Sequence, residues 1–387
     1  MKRILFTIGT LDGGGVARSL LSLLETIDRE RYEVHLFEAT HGVRSSQVPP
    51  GVHSIYNPIV SALVSGPRGL RFLLGHGHWL LAAGSCLRMA VGLADKAAAG
   101  RLLAWLMPRV CNQHFDLAVD YNGQHMLYYL CTKVSAANRA TFFHNDYRQW
   151  ARYESADRKF FARVDAIFSV SPLCVQSLKE VFPREAGKIA LMENIVPLRT
   201  ITRLSRRPIS LPQKPGQLTL LSLGHVCHAK GSDIAIAAAH KLKDSGLDFQ
   251  WLFVGDVSAD SDYRGQIHRL ELGDCVHLLG SKLNPYPYIA RCDIFVQLSR
   301  FEGKSIALDE AKLLCKPIVV ANFSTVADQF TNGVNADICT ATADGAFKAI
   351  RHLATHPRLR AQYTAYLQAH TRDNSAEVSK IYRLIDP

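Results

Sequence analysis

A two-domain α/β fold with parallel sheets is predicted by three observations. Strand-like and helix-like runs alternate along almost the whole chain, the pattern of parallel strands covered by helices on both faces. The chain has 387 residues, too many for one ordinary core and well matched to two. The rhythm breaks once, over Pro197–Gln217, where Pro197, Pro208, Pro212 and Pro215 crowd together with Arg199, Arg203, Arg206 and Arg207. That is a linker composition.

In the first half, strands are predicted near Ile4–Ile8, Glu33–Phe37, Leu117–Val119, Thr141–Phe143, Ile167–Val170 and Ile189–Met192. A helix over Val16–Ile27 follows the first strand, with Leu20, Leu23 and Leu24 on one face. A second helix is predicted over Leu173–Val181. After the break the strands are Leu218–Leu223, Phe249–Val254, Val276–Leu279, Ile294–Gln297 and Ile318–Val320. Helices near Asp233–Leu242, Tyr263–Leu272 and Ile306–Leu314 separate them. The predicted domains are therefore residues 1–198 and 218–370, joined by a linker over 199–217. A last segment, 371–387, carries a helix around Ala376–Ile385.

Composition narrows the function. The apolar fraction, 48%, is that of a globular chain. The longest apolar stretch, Trp79–Ala94, is interrupted by Arg88 and is short for a bilayer span. The start, Met1-Lys2-Arg3 followed by Ile4-Leu5-Phe6, superficially looks like a signal peptide, but its apolar run is too brief and reads better as a buried strand. A cytoplasmic location is the expectation. Nine scattered cysteines form no Cys-x-x-Cys pair, which argues against a zinc motif and a disulfide framework. Some, such as Cys275 and Cys315, read as small core residues.

The net charge is +11. No nucleic-acid reader motif appears, and the basic residues are not interleaved with stacking aromatics, so nucleic acid is not an expected partner. The charge is uneven: between Ala39 and Phe115, seven basic residues (Arg44, Arg68, Arg71, Arg88, Lys96, Arg101 and Arg109) stand against the one acid Asp95. The same stretch holds Phe72-Leu73-Leu74, Trp79-Leu80-Leu81 and Leu102–Leu106. Basic, Trp/Leu-rich helices suit an anionic membrane surface, and residues 60–110 are the candidate contact. Ordinary helices packed on a sheet, with solvated arginines, remain the alternative.

Four loops carry candidate chemistry, each at a predicted strand end. After the first strand comes Gly9-Thr10-Leu11-Asp12-Gly13-Gly14-Gly15, whose bare amides suit an anion at a helix start. A dinucleotide site is the competing reading, since Glu38 ends the second strand where a ribose-binding acid belongs. The glycine spacing does not fit it. His144-Asn145-Asp146-Tyr147 follows Thr141–Phe143. Gly224-His225-Val226-Cys227-His228-Ala229-Lys230-Gly231 follows Leu218–Leu223, with a helix capped near Ser232. The His225, Cys227, His228 cluster diverges after a strand and lacks a distant partner pair, so no metal site is expected there. Last, Ile294–Gln297 leads through Ser299-Arg300 to Phe301-Glu302-Gly303-Lys304-Ser305-Ile306-Ala307-Leu308-Asp309-Glu310. There Gly303 permits close backbone approach, Ser305 can cap the helix, and the first helical amides suit a diphosphate.

Glu302 and Glu310, seven residues between them in this strand–loop–helix setting, resemble the C-terminal signature of glycosyltransferase family 4, a retaining family of GT-B architecture. The resemblance covers nearly the whole chain. It is densest over Leu218–Asn335 and weakest over Gly51–Val110. It implies two Rossmann-like domains facing each other across a cleft, with the last helix returning to the N-terminal domain. By the resemblance, Glu302 holds the donor sugar, Glu310 binds the ribose hydroxyls, and the amides of Gly303, Lys304, Ser305 and Ile306 face sugar and phosphates. Gly224, His225 and Lys230 occupy the family's diphosphate grip, with His225 where an arginine is usual. Gly14 and Gly15 lie toward the β-phosphate, and His144 faces the transferred sugar. The His-Asn-Asp-Tyr form looks like the exopolysaccharide and capsule subgroup.

The implied reaction moves a sugar, with retention, from a nucleotide-diphosphate sugar to a glycan or lipid-linked acceptor, with no cofactor and no metal. Asp260 and Asp262 form an Asp-x-Asp, read here as loop acids. Two rival readings stay open: a degenerate member that binds nucleotide sugar or a partner without catalysis, motivated by His225, and a GT-B nucleotide-sugar epimerase.

Overall fold

The computed structural model describes residues 1–12, 14–211 and 216–386, without the side chains of 149–151. Gly13 of the glycine loop and Pro212 and Pro215 of the proline-rich segment lie outside the described residues.

The chain divides into two units. The first contains residues 1–12, 16–195 and 375–386, and the second contains Gly14, Gly15 and Val196–Asn374. In the first unit, β1 (Lys2–Thr10), β2 (Tyr32–Thr40), β3 (Val52–Tyr56), β4 (His114–Asp120), β5 (Ser135–Phe143), β6 (Ala166–Ser169) and β7 (Ile189–Leu191) form one sheet. Its strand order is β3-β2-β1-β4-β5-β6-β7. In the second unit, β8 (Leu218–Leu223), β9 (Phe249–Val254), β10 (Val276–Leu278), β11 (Ile294–Gln297), β12 (Ile318–Ala321) and β13 (Asp337–Cys339) form another. Its order is β10-β9-β8-β11-β12-β13. Every pairing in both sheets is parallel.

Both sheets are buried on both faces, which is why their central strands read as continuous apolar runs. Along β1, Ile4 and Phe6 enter one hydrophobic core and Leu5 enters the other. Along β8, Leu220 and Leu221 likewise part to opposite cores. The two strands that the sequence does not announce, β3 and β13, lie at sheet edges. β3 carries the exposed His53 and Ser54, and β13 is only three residues long. An edge strand needs no two-sided apolar run, so neither shows one.

Two sequence expectations need correction. The linker over 199–217 opens instead with a helix, Leu198–Ser205. Ile201 and Ser205 turn inward while Arg199, Arg203 and Arg206 are exposed. Ile201 packs with Val196 and Leu313 of the second unit, so the arginines mark the solvent face of an amphipathic helix. The helix expected around Ala376–Ile385 is a 3₁₀ turn, Ser375–Val378, followed by a short α-helix, Ser379–Tyr382. That segment is fixed on the first unit: Asp386 pairs with Lys2 and Arg31, and Tyr382 stacks on Tyr32 at 4.8 Å. The helix expected to be capped near Ser232 begins at Ser232, with Gly231 as its N-cap.

Candidate active site

In an open parallel sheet, ligands bind beyond the carboxyl ends of the strands where the strand order reverses. In the second unit the reversal lies between β8 and β11, and the loops after these two strands carry Gly224–Gly231 and Ser299–Ser305. In the first unit it lies between β1 and β4, and the loop after β1 is the glycine run. The glycine run and the two loops of the second unit thus sit at these switch points; His144, after β5, does not.

The loop after β8 depends on its glycines. Gly224 has φ 138°, and its amide donates to the Val254 carbonyl at 3.0 Å. A short 3₁₀ turn, His228–Lys230, follows and ends at Gly231. Gly231 has φ 69°, and a Cβ there would lie 2.0 Å from the Leu298 carbonyl oxygen. Only glycine lets the turn press against the end of β11. That approach carries Lys230 to the second loop.

The Lys230 ammonium lies 2.5 Å from Glu302 Oε1. The same oxygen accepts from Gln297 Nε2 at 2.9 Å and from Ser299 Oγ at 2.8 Å, and Thr325 Oγ1 donates to the Glu302 carbonyl at 2.9 Å. A second tie joins the two loops. Arg300 donates to both carboxylate oxygens of Asp233, at 2.8 and 2.7 Å. It also donates to the His228 carbonyl, and its amide reaches the Ala229 carbonyl at 2.9 Å. This fork holds the Asp233 carboxyl below its usual range.

Ser305 caps the helix Ile306–Leu313 by accepting from the Leu308 amide at 3.4 Å. Its hydroxyl also donates to Gln297 Oε1 at 2.8 Å. The helix amides remain an anion-favouring end. Glu310, further along this helix, is buried. The Lys304 side chain belongs to a different group: its ammonium lies 3.9 Å from Asp309 Oδ2, and Asp309 pairs with Lys312 at 2.7 Å.

The structure therefore brings together Lys230, Glu302 and Ser305, and a shared pocket in the second unit is lined by Gly224, His225, Lys230, Gln297 and Ser299. His225 is exposed. Gly303 is buried in the loop between Glu302 and the helix. Sequence reasoning missed Gln297, Asp233 and Thr325 and gave Arg300 no role. One signal was available, a glutamine closing an otherwise apolar buried strand.

In the glycine loop after β1, Gly14 has φ 111° and Gly15 opens the helix Gly15–Thr26. No acid occupies that helix's first turn, so its amide end keeps its positive character. His144 follows β5. Its Nε2–H donates to the Tyr121 carbonyl at 3.1 Å, which fixes the tautomer and leaves Nδ1 as the acceptor. Burial pushes the imidazole down to about 4, so it is neutral at physiological pH. Tyr121 ties this histidine to the glycine-loop helix, because its hydroxyl meets Ser19 Oγ at 2.7 Å. Glu38, the candidate ribose acid of the dinucleotide reading, is instead buried and accepts from Ser45 Oγ at 2.6 Å. The carboxylate is spent within its own loop.

Asp262 caps the helix Tyr263–Arg269, accepting from the Gly265 amide at 2.8 Å. Among the described residues no group of three His, Cys, Asp or Glu side chains could hold a metal ion. The described cysteines are all free thiols. Cys275 is buried, and Cys315 is only half-buried, at a left-handed position with φ 54°. No helix among the described residues is long and apolar enough to cross a membrane.

The chain is similar to several known proteins. Residues 207–370 match the family model of glycosyl transferases group 1. A Campylobacter jejuni N-acetylgalactosamine-N,N'-diacetylbacillosaminyl-diphospho-undecaprenol 4-alpha-N-acetylgalactosaminyltransferase is 26% identical over 58% of this chain and 59% of its own length. The putative colanic acid biosynthesis glycosyltransferase WcaL of Escherichia coli is 29% identical over 43% and 42%. The chain thus spans little more than half the length of these curated relatives, or less. Among solved structures, HepE of Anabaena in complex with UDP and glucose gives a TM-score of 0.71 at 17% identity, covering 100% of both chains. WaaG, a glycosyltransferase involved in lipopolysaccharide biosynthesis, gives 0.68 at 14% identity, covering 99% of each. The chain shares the GT-B fold of these structures, and its second unit carries the segment that matches the glycosyl transferases group 1 model.

Proposed function

We propose that this chain is a retaining glycosyltransferase that moves a sugar from a nucleotide-diphosphate sugar to a glycan or lipid-linked acceptor in cell-surface polysaccharide synthesis. The observation that carries the reading is the Lys230–Glu302 pair, 2.5 Å apart, at the switch point of the second sheet. A cation for the departing diphosphate and a carboxylate for sugar hydroxyls stand side by side there.

In the proposed reaction the bond from the anomeric carbon to the β-phosphate oxygen breaks, and a bond to the acceptor oxygen forms on the same face. The acceptor proton passes to the leaving diphosphate, so no protein base is needed. Lys230 and the amides beginning the helix Ile306–Leu313 stabilise the charge that develops on the diphosphate. Gly14 and Gly15 are assigned to the β-phosphate. Glu302 holds the sugar, Glu310 the ribose, and neutral His144 accepts through Nδ1 from a hydroxyl of the transferred sugar. Neither metal nor cofactor takes part.

The acceptor side is assigned to the first unit, at the inner face of the cytoplasmic membrane. Its helices Trp79–Ala94 and Lys96–Leu106 leave Leu80 and Leu93 each 89% exposed and Trp105 71% exposed. Lys96, Arg68 and Arg71 are exposed in the same stretch. This combination supports contact with an anionic bilayer, where a lipid-linked acceptor resides.

His225 favours one second reading, a binder of nucleotide sugar without catalysis. The deciding experiment incubates the protein with nucleotide sugars and lipid-linked or short glycan acceptors, with and without chelator. Glycosylated product of unchanged anomeric configuration, formed equally in chelator, supports transfer. Donor binding without turnover supports the binder. Conversion of donor without acceptor points to an epimerase.

A further inference from the structure

Glu302 is held from one side only. Its Oε1 takes three hydrogen bonds, from Lys230, Gln297 and Ser299, while Oε2 takes none from the described residues. Two of the three donors are well shielded: Gln297 is 7% exposed and Ser299 is fully buried. The amide of Gln297 has its own orientation imposed from behind, because Ser305 Oγ donates to its Oε1 at 2.8 Å. With that oxygen engaged, Nε2 must face Glu302. Ser305 is in turn fixed by capping the helix Ile306–Leu313. A continuous relay therefore runs from the helix cap, through Ser305 and Gln297, to one oxygen of Glu302.

A carboxylate on a loop rotates freely unless both its backbone and one oxygen are anchored. Here Thr325 anchors the backbone carbonyl and the relay anchors Oε1. We infer that Gln297 is a positioning residue that turns Glu302 so that Oε2 is the oxygen offered to a hydroxyl of the donor sugar. The inference deepens the transferase reading and rests on it. Gln297 does not bind the sugar itself, and it acts only through Glu302. Lys230 contributes to the same oxygen but is partly exposed and is needed by the diphosphate, so in the bound state Gln297 and Ser299 carry the anchoring. Misplacement of a sugar-holding group by a fraction of an ångström lowers turnover without touching the nucleotide.

The test uses the full chain with the donor sugar it turns over and the matching nucleoside diphosphate. Gln297→Leu removes the hydrogen bonds at similar volume, and kcat should fall on the order of tenfold to a hundredfold. Affinity for the nucleoside diphosphate alone should hold. Gln297→Glu supplies a readout that a purely structural role would not move. Its new carboxyl donates to Glu302 while accepting from Ser305 only when protonated. Its activity relative to the parent should therefore recover as pH is lowered. Ser299→Ala should repeat the kcat loss in milder form if Gln297→Leu does not fold. Folded Gln297→Leu with parental kcat, or parallel pH profiles for Gln297→Glu and the parent, would overturn the inference. Absence of nucleotide binding by the parent would instead remove the transferase reading.

Discussion

Lys230 and Glu302 are 72 residues apart in sequence and meet at 2.5 Å, because Gly231 lets one loop lie against the end of the strand that carries the other. The pair is partly open, with 38% of the lysine side chain and 11% of the glutamate side chain exposed. An ion pair of that kind adds little to stability. Its use is chemical: the ammonium is already at the place where phosphate charge develops. Lys230→Ala should lower kcat/KM about a hundredfold, the scale of one lost transition-state donor. The melting temperature should move by less than about 2 °C, given the small worth of an exposed pair. Steady-state kinetics and a thermal melt check both halves.

Gly231→Ala should behave in the opposite way, damaging the fold first. The added Cβ meets the Leu298 carbonyl oxygen at 2.0 Å, and φ is 69°. Together these should cost about 2–4 kcal/mol. Gly246→Ala is the control, with φ 76° and nothing within 4 Å of its Cβ. It should cost only the left-handed penalty, about 1 kcal/mol. Urea denaturation of both variants should separate them, and equal losses would mean that Gly231 is not a close-approach glycine.

His144 should remain neutral down to about pH 5. Burial lowers its pKa from 6.5 to about 4. As pH falls through 6.5 the unfolded chain takes up a proton that the folded chain refuses until about 4. This residue therefore subtracts stability as the solution is acidified between those values, and its contribution is restored above 6.5. Imidazole NMR shifts of the parent compared with His144→Gln should show no titration step for this ring above pH 5. A step near 6.5 would refute the assignment.

The contrast between what the sequence reveals and what it hides has a physical pattern. Central strands such as Ile4–Ile8 and Ile294–Gln297 were legible because burial on both faces demands continuous apolar residues. The loops were legible because glycine and charged residues at strand ends have few structural uses. β3 and β13 were not legible, since edge strands are free of that demand. The helix Leu198–Ser205 was hidden by its arginines, which read as linker until Ile201 is seen packed inward. Ser305 was recognised as a cap, but its second partner, Gln297, depends on side-chain geometry that spacing does not encode. The Arg300–Asp233 fork escaped for the same reason, as its members are 67 residues apart.

The exposed helices of the first unit yield a prediction independent of catalysis. Trp79→Ser with Trp105→Ser should weaken sedimentation with anionic vesicles at least about fivefold, since each Trp carries a substantial buried-area contribution at an interface. Neutral vesicles should bind poorly, and the interaction should weaken as salt screens the basic residues. Equal binding of parent and double variant would remove these helices as the contact.

Under the proposed function, the second unit holds a nucleotide-diphosphate sugar against Lys230, Glu302 and Glu310. The most direct measurement is a thermal-shift screen of UDP, GDP, ADP and CMP sugars, run on the parent and on Glu310→Ala. A selective rise in melting temperature with one nucleotide class is expected, growing with ligand concentration as binding linkage requires and lost in Glu310→Ala. No shift with any donor, or a shift that survives in Glu310→Ala, would contradict it.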